Sequence, residues 1–285
     1  MEYFRFIPQR PRSFLRVRLG MAYYSVLRHW LWWRWRKRFA SRHSILPCKE
    51  AADDFPHVAA SHRTPLRRNL SPEDTALQEG KVVNLKLATS RLNGVVVEPG
   101  KVFSFWRLIG NPTSGKGYQQ GMVLLNGRPA SAVGGGLCAL SNLVYWITLH
   151  TPLAVVERYR HSYDVFPDSN RTQPFGSGAT CLYNYRDLMI RNSTSQPYLL
   201  SVWTDHHYLY GQWRTGQPIV HHYEVYQKEH WITAEIGNAY VRHNTIWRHH
   251  YIDEDGKRHT LPDEFVAENH ALMMYEPLLE ESNQT

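Results

Sequence analysis

A cysteine that follows three glycines is the residue of this chain best placed to do chemistry. Gly134, Gly135 and Gly136 precede Cys138, and an apolar run follows it. Glycines let the backbone turn tightly, so Cys138 should stand in the first turn of a helix, where unpaired N–H groups and the helix dipole favour a thiolate. The same amides could stabilise an oxyanion in acyl transfer. We therefore expect Cys138 to be a nucleophile of lowered pKa; the alternative is a small buried hydrophobic residue.

A thiolate nucleophile needs a base, and His161 is the candidate. It stands 23 positions after Cys138 (161 − 138), far enough for a helix to return as a strand beside its own start. Asp164 and Asp187 are both candidates to orient its imidazole, and Asp187 is assigned to the catalytic set. The chain contains 16 histidines, so the alternative reading of His161 is a surface or hydrogen-bonded structural residue.

Metal and phosphate sites are not indicated by the sequence. Adjacent histidines such as His206-His207 point to opposite faces of a strand, and no Cys-x-x-Cys or His-Glu-x-x-His spacing occurs. The glycines at 115 and 117 lack the spacing and the following Ser or Thr of a phosphate-binding loop. We expect neither a metal nor a cofactor.

Helices and strands must position these residues. Ser71-Pro72 is typical of a helix start, and that helix should run to Leu92; a second helix is predicted over 137–150. Asn126-Gly127 after 122–125 suggests a hairpin, and Asp255-Gly256 marks a turn. Apolar runs and turn residues predict strands, of which the first two are also expected to form a hairpin. They cover 95–97, 102–105, 122–125, 155–166, 188–192, 198–204, 208–213, 245–252 and 259–266. The predicted class is α+β, a mainly antiparallel sheet with two principal helices.

Three regions are expected along the chain. Residues 1–70 combine a basic, aromatic-rich segment with a proline-broken linker. Residues 71–215 contain both principal helices and the candidate site. Residues 216–285 are a β-rich extension that should pack on that domain.

Positive charge is concentrated at the beginning of the chain. The formal net charge is +8, but residues 1–40 hold ten Lys or Arg and one acid, so the remainder is nearly neutral. A neutral body argues against nucleic-acid binding. Residues 13–39 mix long apolar side chains with arginines, as in a helix lying on an anionic membrane; the alternative is a helix packed on the core. We see no signal peptide and no long apolar span, which predicts a cytoplasmic protein, peripheral on the inner membrane face if this segment binds lipid.

Short motifs in a fixed order over roughly residues 75–215 resemble the VanW-domain family. They are Asn93-Gly94, Pro99-Gly100, Phe103-Ser104-Phe105, Gly110, Thr113, Gly117-Tyr118, the loop 134–138, Leu140-Ser141, Tyr145, Glu157-Arg158, His161-Ser162 and 187–192.

The resemblance implies a link to vancomycin (glycopeptide) resistance and a peptidoglycan precursor or stem peptide as the partner. Some family members look like cysteine-dependent L,D-transpeptidases, so Cys138 would accept the acyl group and His161 would be the base. The residues implied in substrate binding are Gly134, Gly135, Gly136, Ser141, Arg158 and Ser162. An arginine fork is suited to a substrate carboxylate. The alternative is a non-catalytic accessory or scaffold protein that binds cell-wall precursors or resistance enzymes at the membrane.

Two departures from the family pattern favour the non-catalytic alternative. Members commonly carry Gln directly after the cysteine, where this chain has Ala139, and Asp where this chain has Gly178. Loss of an oxyanion donor costs on the order of 10²-fold or more in rate. Without that Asp, another acid would have to hold the histidine.

Overall fold

A computed structural model describes residues 13–41, 53–67, 75–125, 128–165, 173–235, 239–254 and 256–275, and within them the chain is α+β with mainly antiparallel sheets. These residues contain four α-helices: α1 (Phe14–Arg34), α2 (Thr75–Leu92), α3 (Phe105–Ile109) and α4 (Cys138–Leu149). The strands are β1 (His57–Pro65), β2 (Val95–Val97), β3 (Val102–Ser104), β4 (Gln120–Leu125), β5 (Arg128–Val133), β6 (Ala154–Glu157), β7 (Tyr163–Asp164), β8 (Met189–Arg191), β9 (Tyr198–Thr204), β10 (Tyr208–Thr215), β11 (His221–Glu235), β12 (Ala239–Glu254) and β13 (Lys257–Met273).

The strands form four sheets. Their orders are β1-β10-β9-β2, β11-β12-β13-β7, β3-β8-β6 and the β4-β5 hairpin. The β13–β7 pair is parallel, and the other strand pairs within these sheets are antiparallel. Helix α4 is apolar and buried over most of its length and contacts β1 and β10, so one sheet and one helix form the centre of the core.

Several local predictions agree closely with the structure. Helix α2 ends at Leu92, followed by Gly94 at φ +82°, a left-handed conformation that glycine adopts without strain. Strand β9 has the predicted bounds, and β4 pairs with β5 as a hairpin. The proposed helix start at Ser71-Pro72 and the turn residues 126–127 and Asp255 lie outside the described residues.

The expected hairpin of the first two strands is wrong. Strand β2 pairs with β9, whereas β3 pairs with β8 in a different sheet. The turn between them is held by a third segment, since Gly100 N donates to Asn192 O at 2.8 Å and Asn192 N donates to Lys101 O at 2.9 Å. Two adjacent strands with a turn signal therefore diverge, because each finds a better-buried partner later in the chain.

The predicted strand over 155–166 is also interrupted. Only β6 and β7 form, and residues 158–162 between them are irregular. Two strands form where none was predicted. Residues 57–65, expected to be part of a linker, form β1, which pairs with β10. Strand β11, which pairs with β12, was not predicted. No helix among the described residues is long and apolar enough to cross a bilayer.

Candidate functional site

The glycine loop before α4 packs against neighbouring backbone. Gly134 and Gly136 have φ of +77° and +89°, and a Cβ added to Gly135 would lie 2.0 Å from the carbonyl oxygen of Gly121. The Asn84 amide donates to Gly135 O at 2.9 Å and fixes the loop to α2. The glycines therefore allow the loop to approach β4 and α2 closely, and this packing sets where α4 begins.

Helix α4 begins at Cys138, whose Sγ lies 4.0 Å from the carbonyl oxygen of Cys181. Surrounding atoms bury the thiol, and this burial raises its pKa. The amides of Ala139 and Leu140 donate to the carbonyls of Gly136 and Leu137 at 3.1 and 3.0 Å. These two amides therefore have backbone partners.

The expectation of a lowered thiol pKa for Cys138 is wrong. Removing the thiolate from water costs more free energy than its interactions at the start of the helix contribute. The neutral thiol is therefore favoured at neutral pH.

A short segment, residues 178–181, lies over the first turns of α4. Ser141 is buried and its hydroxyl donates to Ala179 O at 2.7 Å, while Ala179 N donates to the Asn142 carboxamide at 2.8 Å. A Cβ added to Gly178 would lie 2.8 Å from that same carboxamide oxygen. Asn142 therefore occupies the space that a side chain at 178 would need, which explains a glycine there.

His161 is attached to the same segment through Thr180. Its Nδ1 lies 2.9 Å from Thr180 Oγ1, and Thr180 N donates to Tyr159 O at 2.7 Å. Burial, followed by the positive charge of Arg158, lowers the pKa of His161, so its imidazole is neutral at pH 7. A neutral imidazole can accept a proton.

Cys138 and His161 thus contact successive residues, Cys181 and Thr180. Within the described ranges no hydrogen bond joins the thiol to the imidazole. Thr180, the partner of His161, was missed as a site residue, because only the return of a distant segment brings the two together.

Asp187, expected to orient the His161 imidazole, makes its contacts with other residues. Its carboxylate accepts from Ser104 Oγ at 2.5 Å, Trp106 N at 3.0 Å and Leu188 N at 2.9 Å, so it binds the start of α3. Burial raises its pKa to about 7. In the part of the chain that the structure describes, no hydrogen bond connects Asp187 with His161.

The other acid considered for that role, Asp164, binds residues of the C-terminal sheet region. Its carboxylate accepts from Arg242 Nη1 at 3.3 Å and from the Tyr275 hydroxyl at 2.7 Å.

A partly buried ion pair connects α1 with the strand that leads into the site. Arg28, 8% exposed, donates to both carboxylate oxygens of Glu157 at 2.8 and 2.5 Å, and Glu157 in turn accepts from Asp187 N at 3.1 Å. The pair spans 129 positions of sequence, so nothing in either local pattern predicts it.

Arg158 supports the neighbouring loops. Its Nε donates to Gly178 O at 2.9 Å, and its Nη2 donates to Gly176 O and to the Asn269 side chain. Burial lowers the pKa of this guanidinium below its ordinary value. The contacts of Arg158 are thus mainly with backbone carbonyls, which makes it a positioning residue.

An open cavity of about 390 Å³ lies beside the same irregular segment. Its three arginines and one glutamate give a formal charge of +2, and Ser162 is exposed at its edge. The lining residues are Arg158, Tyr159, Arg160, Ser162, Arg186 and Glu268. Arg160 and Arg186 were not recognised from the sequence, since neither carries a motif. The described residues contain no group of three or more His, Cys, Asp or Glu side chains that could hold a metal ion.

Comparison with known proteins identifies the central part of the chain. Residues 80–214 match the family described as VanW like protein. The chain is 40% identical over 139 residues to the vancomycin B-type resistance protein VanW of Enterococcus faecalis (strain ATCC 700802 / V583), a match that covers 49% of this chain and 50% of that protein. It is 30% identical over 117 residues to the uncharacterized protein YoaR of Bacillus subtilis (strain 168), covering 41% of this chain and 37% of that protein. The matches thus span half the length of the first relative and less of the second, and no solved structure matches the chain.

Proposed function

Since residues 80–214 match the family described as VanW like protein, we propose that this protein supports vancomycin resistance by binding the carboxylate end of a peptidoglycan stem-peptide precursor. The relative from Enterococcus faecalis is a vancomycin B-type resistance protein, and the resemblance ties the family to precursors that end in D-alanyl-D-alanine or D-alanyl-D-lactate. Both ends carry a free carboxylate. The proposal therefore requires a cavity that recognises an anion.

The basic cavity is the observation that supports this proposal. Arg158 is occupied by backbone carbonyls, which leaves Arg160 and Arg186 as the cations available to a ligand. Among the described residues, the hydrogen bond of the Arg160 side chain is a long 3.5 Å contact to Glu268 O, and the Arg186 guanidinium lies 5.7 Å from the Tyr159 ring. The volume of about 390 Å³ falls within the ordinary range of small-ligand sites, and two guanidinium groups suit a carboxylate.

A pair of dipeptides tests this function. D-alanyl-D-alanine should bind in calorimetry with an affinity that falls as salt rises, and its C-terminal amide should bind at least tenfold more weakly. The double variant Arg160→Gln/Arg186→Gln should lose the preference for the free acid. Arg191→Gln, an exposed arginine outside the cavity, should keep it. Equal binding of acid and amide, or an unchanged affinity in the double variant, would overturn the proposal.

Cysteine-dependent acyl transfer is the second candidate. It is favoured by one observation, the contact of Cys138 and His161 with successive residues of the segment 178–181. In the step considered, Sγ forms a bond to a peptide carbonyl carbon and the C–N bond breaks. The thiol proton passes through His161 to the leaving amine, and water or another amine then cleaves the thioester. Because the thiol pKa is raised, His161 would have to take the proton as the bond forms.

Mass spectrometry separates the two candidates. Acyl transfer predicts a thioester on Cys138 after incubation with a stem tetrapeptide, and its loss in Cys138→Ala, whereas binding alone predicts no adduct and unchanged affinity in that variant. Alkylation of Cys138, with Cys48 and Cys181 replaced by serine, should rise with pH beyond the ordinary thiol range, since burial raises its pKa.

A further inference from the structure

We propose that α1 lies on the surface of an anionic membrane, with its aromatic and aliphatic side chains in the lipid interface. This inference does not depend on the proposed ligand of the cavity.

Helix α1 exposes its large apolar residues. Phe14 is 73% exposed and Val26 is 70% exposed, and single exposures of this kind are ordinary on any protein. Twelve of them lie within residues 14–35, so the exposed surface of α1 is rich in large apolar side chains, as is typical of an interaction site. They are Phe14, Leu15, Val17, Leu19, Met21, Tyr23, Tyr24, Val26, Leu27, Trp30, Trp33 and Trp35.

The side of α1 that meets the protein makes both apolar and polar contacts, and Trp32 and Leu31 pack against the hydrophobic core. Its buried side chains are Arg28 and Trp32, and Arg28 is held by both oxygens of Glu157. The Asn184 amide also lies 2.9 Å from His29 Nδ1. An ordinary surface helix buries an apolar stripe and exposes polar residues, whereas α1 buries an arginine and leaves most of its large apolar residues exposed.

The positive charge of α1 and the residues after it favours an anionic membrane as the binding partner of the exposed surface of α1. Residues 13–41 contain seven Lys or Arg and no acid, and Arg28 alone among the basic residues of α1 is buried. Guanidinium groups lie over aromatic rings, for example Arg18 over Phe14 at 4.5 Å and Arg38 over Trp35 at 4.1 Å. Tryptophan prefers the membrane interface and basic side chains prefer anionic headgroups. A second copy of the chain would bring like charges together, so a lipid surface is the better complement.

In this proposal helix α1 lies along the surface of the bilayer and does not cross it. Within the described residues no helix is long and apolar enough to span a membrane, and arginines recur along α1. The Arg28–Glu157 pair then fixes the membrane-bound helix to β6, immediately before Arg158 and the cavity. Binding would therefore hold the candidate site close to the membrane.

Sedimentation of the full chain with vesicles tests this inference. Vesicles of phosphatidylcholine with phosphatidylglycerol should bind the protein, pure phosphatidylcholine should bind it at least tenfold less, and high salt should weaken binding. Trp30→Gln/Trp33→Gln should reduce binding to the anionic vesicles at least tenfold. Trp203→Gln/Trp231→Gln is the matched control, because these tryptophans are 38% and 39% exposed outside α1.

Three results would overturn the inference. They are failure to bind anionic vesicles, equal binding by the Trp30/Trp33 variant, and equal loss in the control variant. Self-association that is abolished by the Trp30/Trp33 substitutions and persists without lipid would instead assign the surface to a second copy.

Discussion

Replacing Asp187 with asparagine should remove a specific pH dependence from the stability of this protein. The residue is fully buried, and burial raises the pKa of its carboxyl from 3.8 to about 7. Between these values the folded state keeps a proton that the unfolded state releases, so rising pH destabilises the wild-type fold. At about 1.4 kcal/mol per pH unit, the interval corresponds to about 4 kcal/mol.

Asparagine is a close substitute at this position. Its amide oxygen can accept from Trp106 N and Leu188 N, and its amide nitrogen can donate to Ser104 Oγ, so the three contacts of the carboxyl have counterparts. The amide does not titrate. The free energy of unfolding of Asp187→Asn relative to the wild type should therefore rise by about 4 kcal/mol from about pH 4 to about pH 8 and level off above the folded-state pKa.

Urea unfolding at a series of pH values measures this difference. Asp205→Asn is the control, because hydrogen bonds from the Tyr210 hydroxyl and two backbone amides lower the pKa of Asp205 to about 2. Asp205 is then ionised in both the folded and the unfolded state over most of that pH range. The difference in free energy of unfolding between Asp205→Asn and the wild type should therefore be nearly constant. A constant difference for Asp187→Asn as well would refute the reasoning, since it would mean that the buried carboxyl holds no proton that the unfolded chain releases.

Three further outcomes are expected from the packing. Gly135→Ala places a Cβ 2.0 Å from a backbone carbonyl and should lower the free energy of unfolding by about 3 kcal/mol, whereas Gly115→Ala, with no atom within 4 Å, should change it by less than about 1 kcal/mol; equal losses would contradict this account. Arg28→Met leaves the partly buried carboxylate of Glu157 without its partner, which costs about 2 kcal/mol, and hydrogen exchange in α1 should accelerate more than about 10-fold; unchanged protection would show that the pair does not hold the helix. Trp213→Phe removes the 2.9 Å hydrogen bond to buried Thr148 and opens a void, so chemical denaturation should show a loss of about 2 kcal/mol, and a neutral result would rule out that contribution.

Local patterns in the sequence predicted the elements that depend on neighbouring residues. Strand β9 follows from its run of apolar, aromatic and β-branched residues, the end of α2 follows from Gly94, and the hairpin of β4 and β5 follows from its turn residues. The hairpin expected of β2 and β3 does not form, although a turn joins the two strands. Strand β2 pairs with β9 and β3 pairs with β8, about a hundred residues later in the chain.

The candidate site was predictable to a smaller degree. The glycine loop and the apolar run after it predicted a helix over 137–150, and α4 extends from Cys138 to Leu149. The thiol pKa was not predictable, because the helix dipole acts locally whereas the burial that raises this pKa depends on how the folded chain packs around the residue. Asp187 illustrates the same limit, since its partners at the start of α3 are 81 and 83 positions away.

By itself the sequence determined the family resemblance, the end of α2 at the glycine that follows it, and the confinement of the net positive charge to residues 1–40. Each is a property of residue types at short spacing. Only the tertiary structure decided that Arg28 turns inward to Glu157 while the tryptophans of α1 face outward, that His161 meets Thr180, and that Arg160 and Arg186 share one cavity. The physical reason is that burial and long-range contacts depend on which distant segments pack together in the folded chain. The spacing of residues within one segment does not specify those partners.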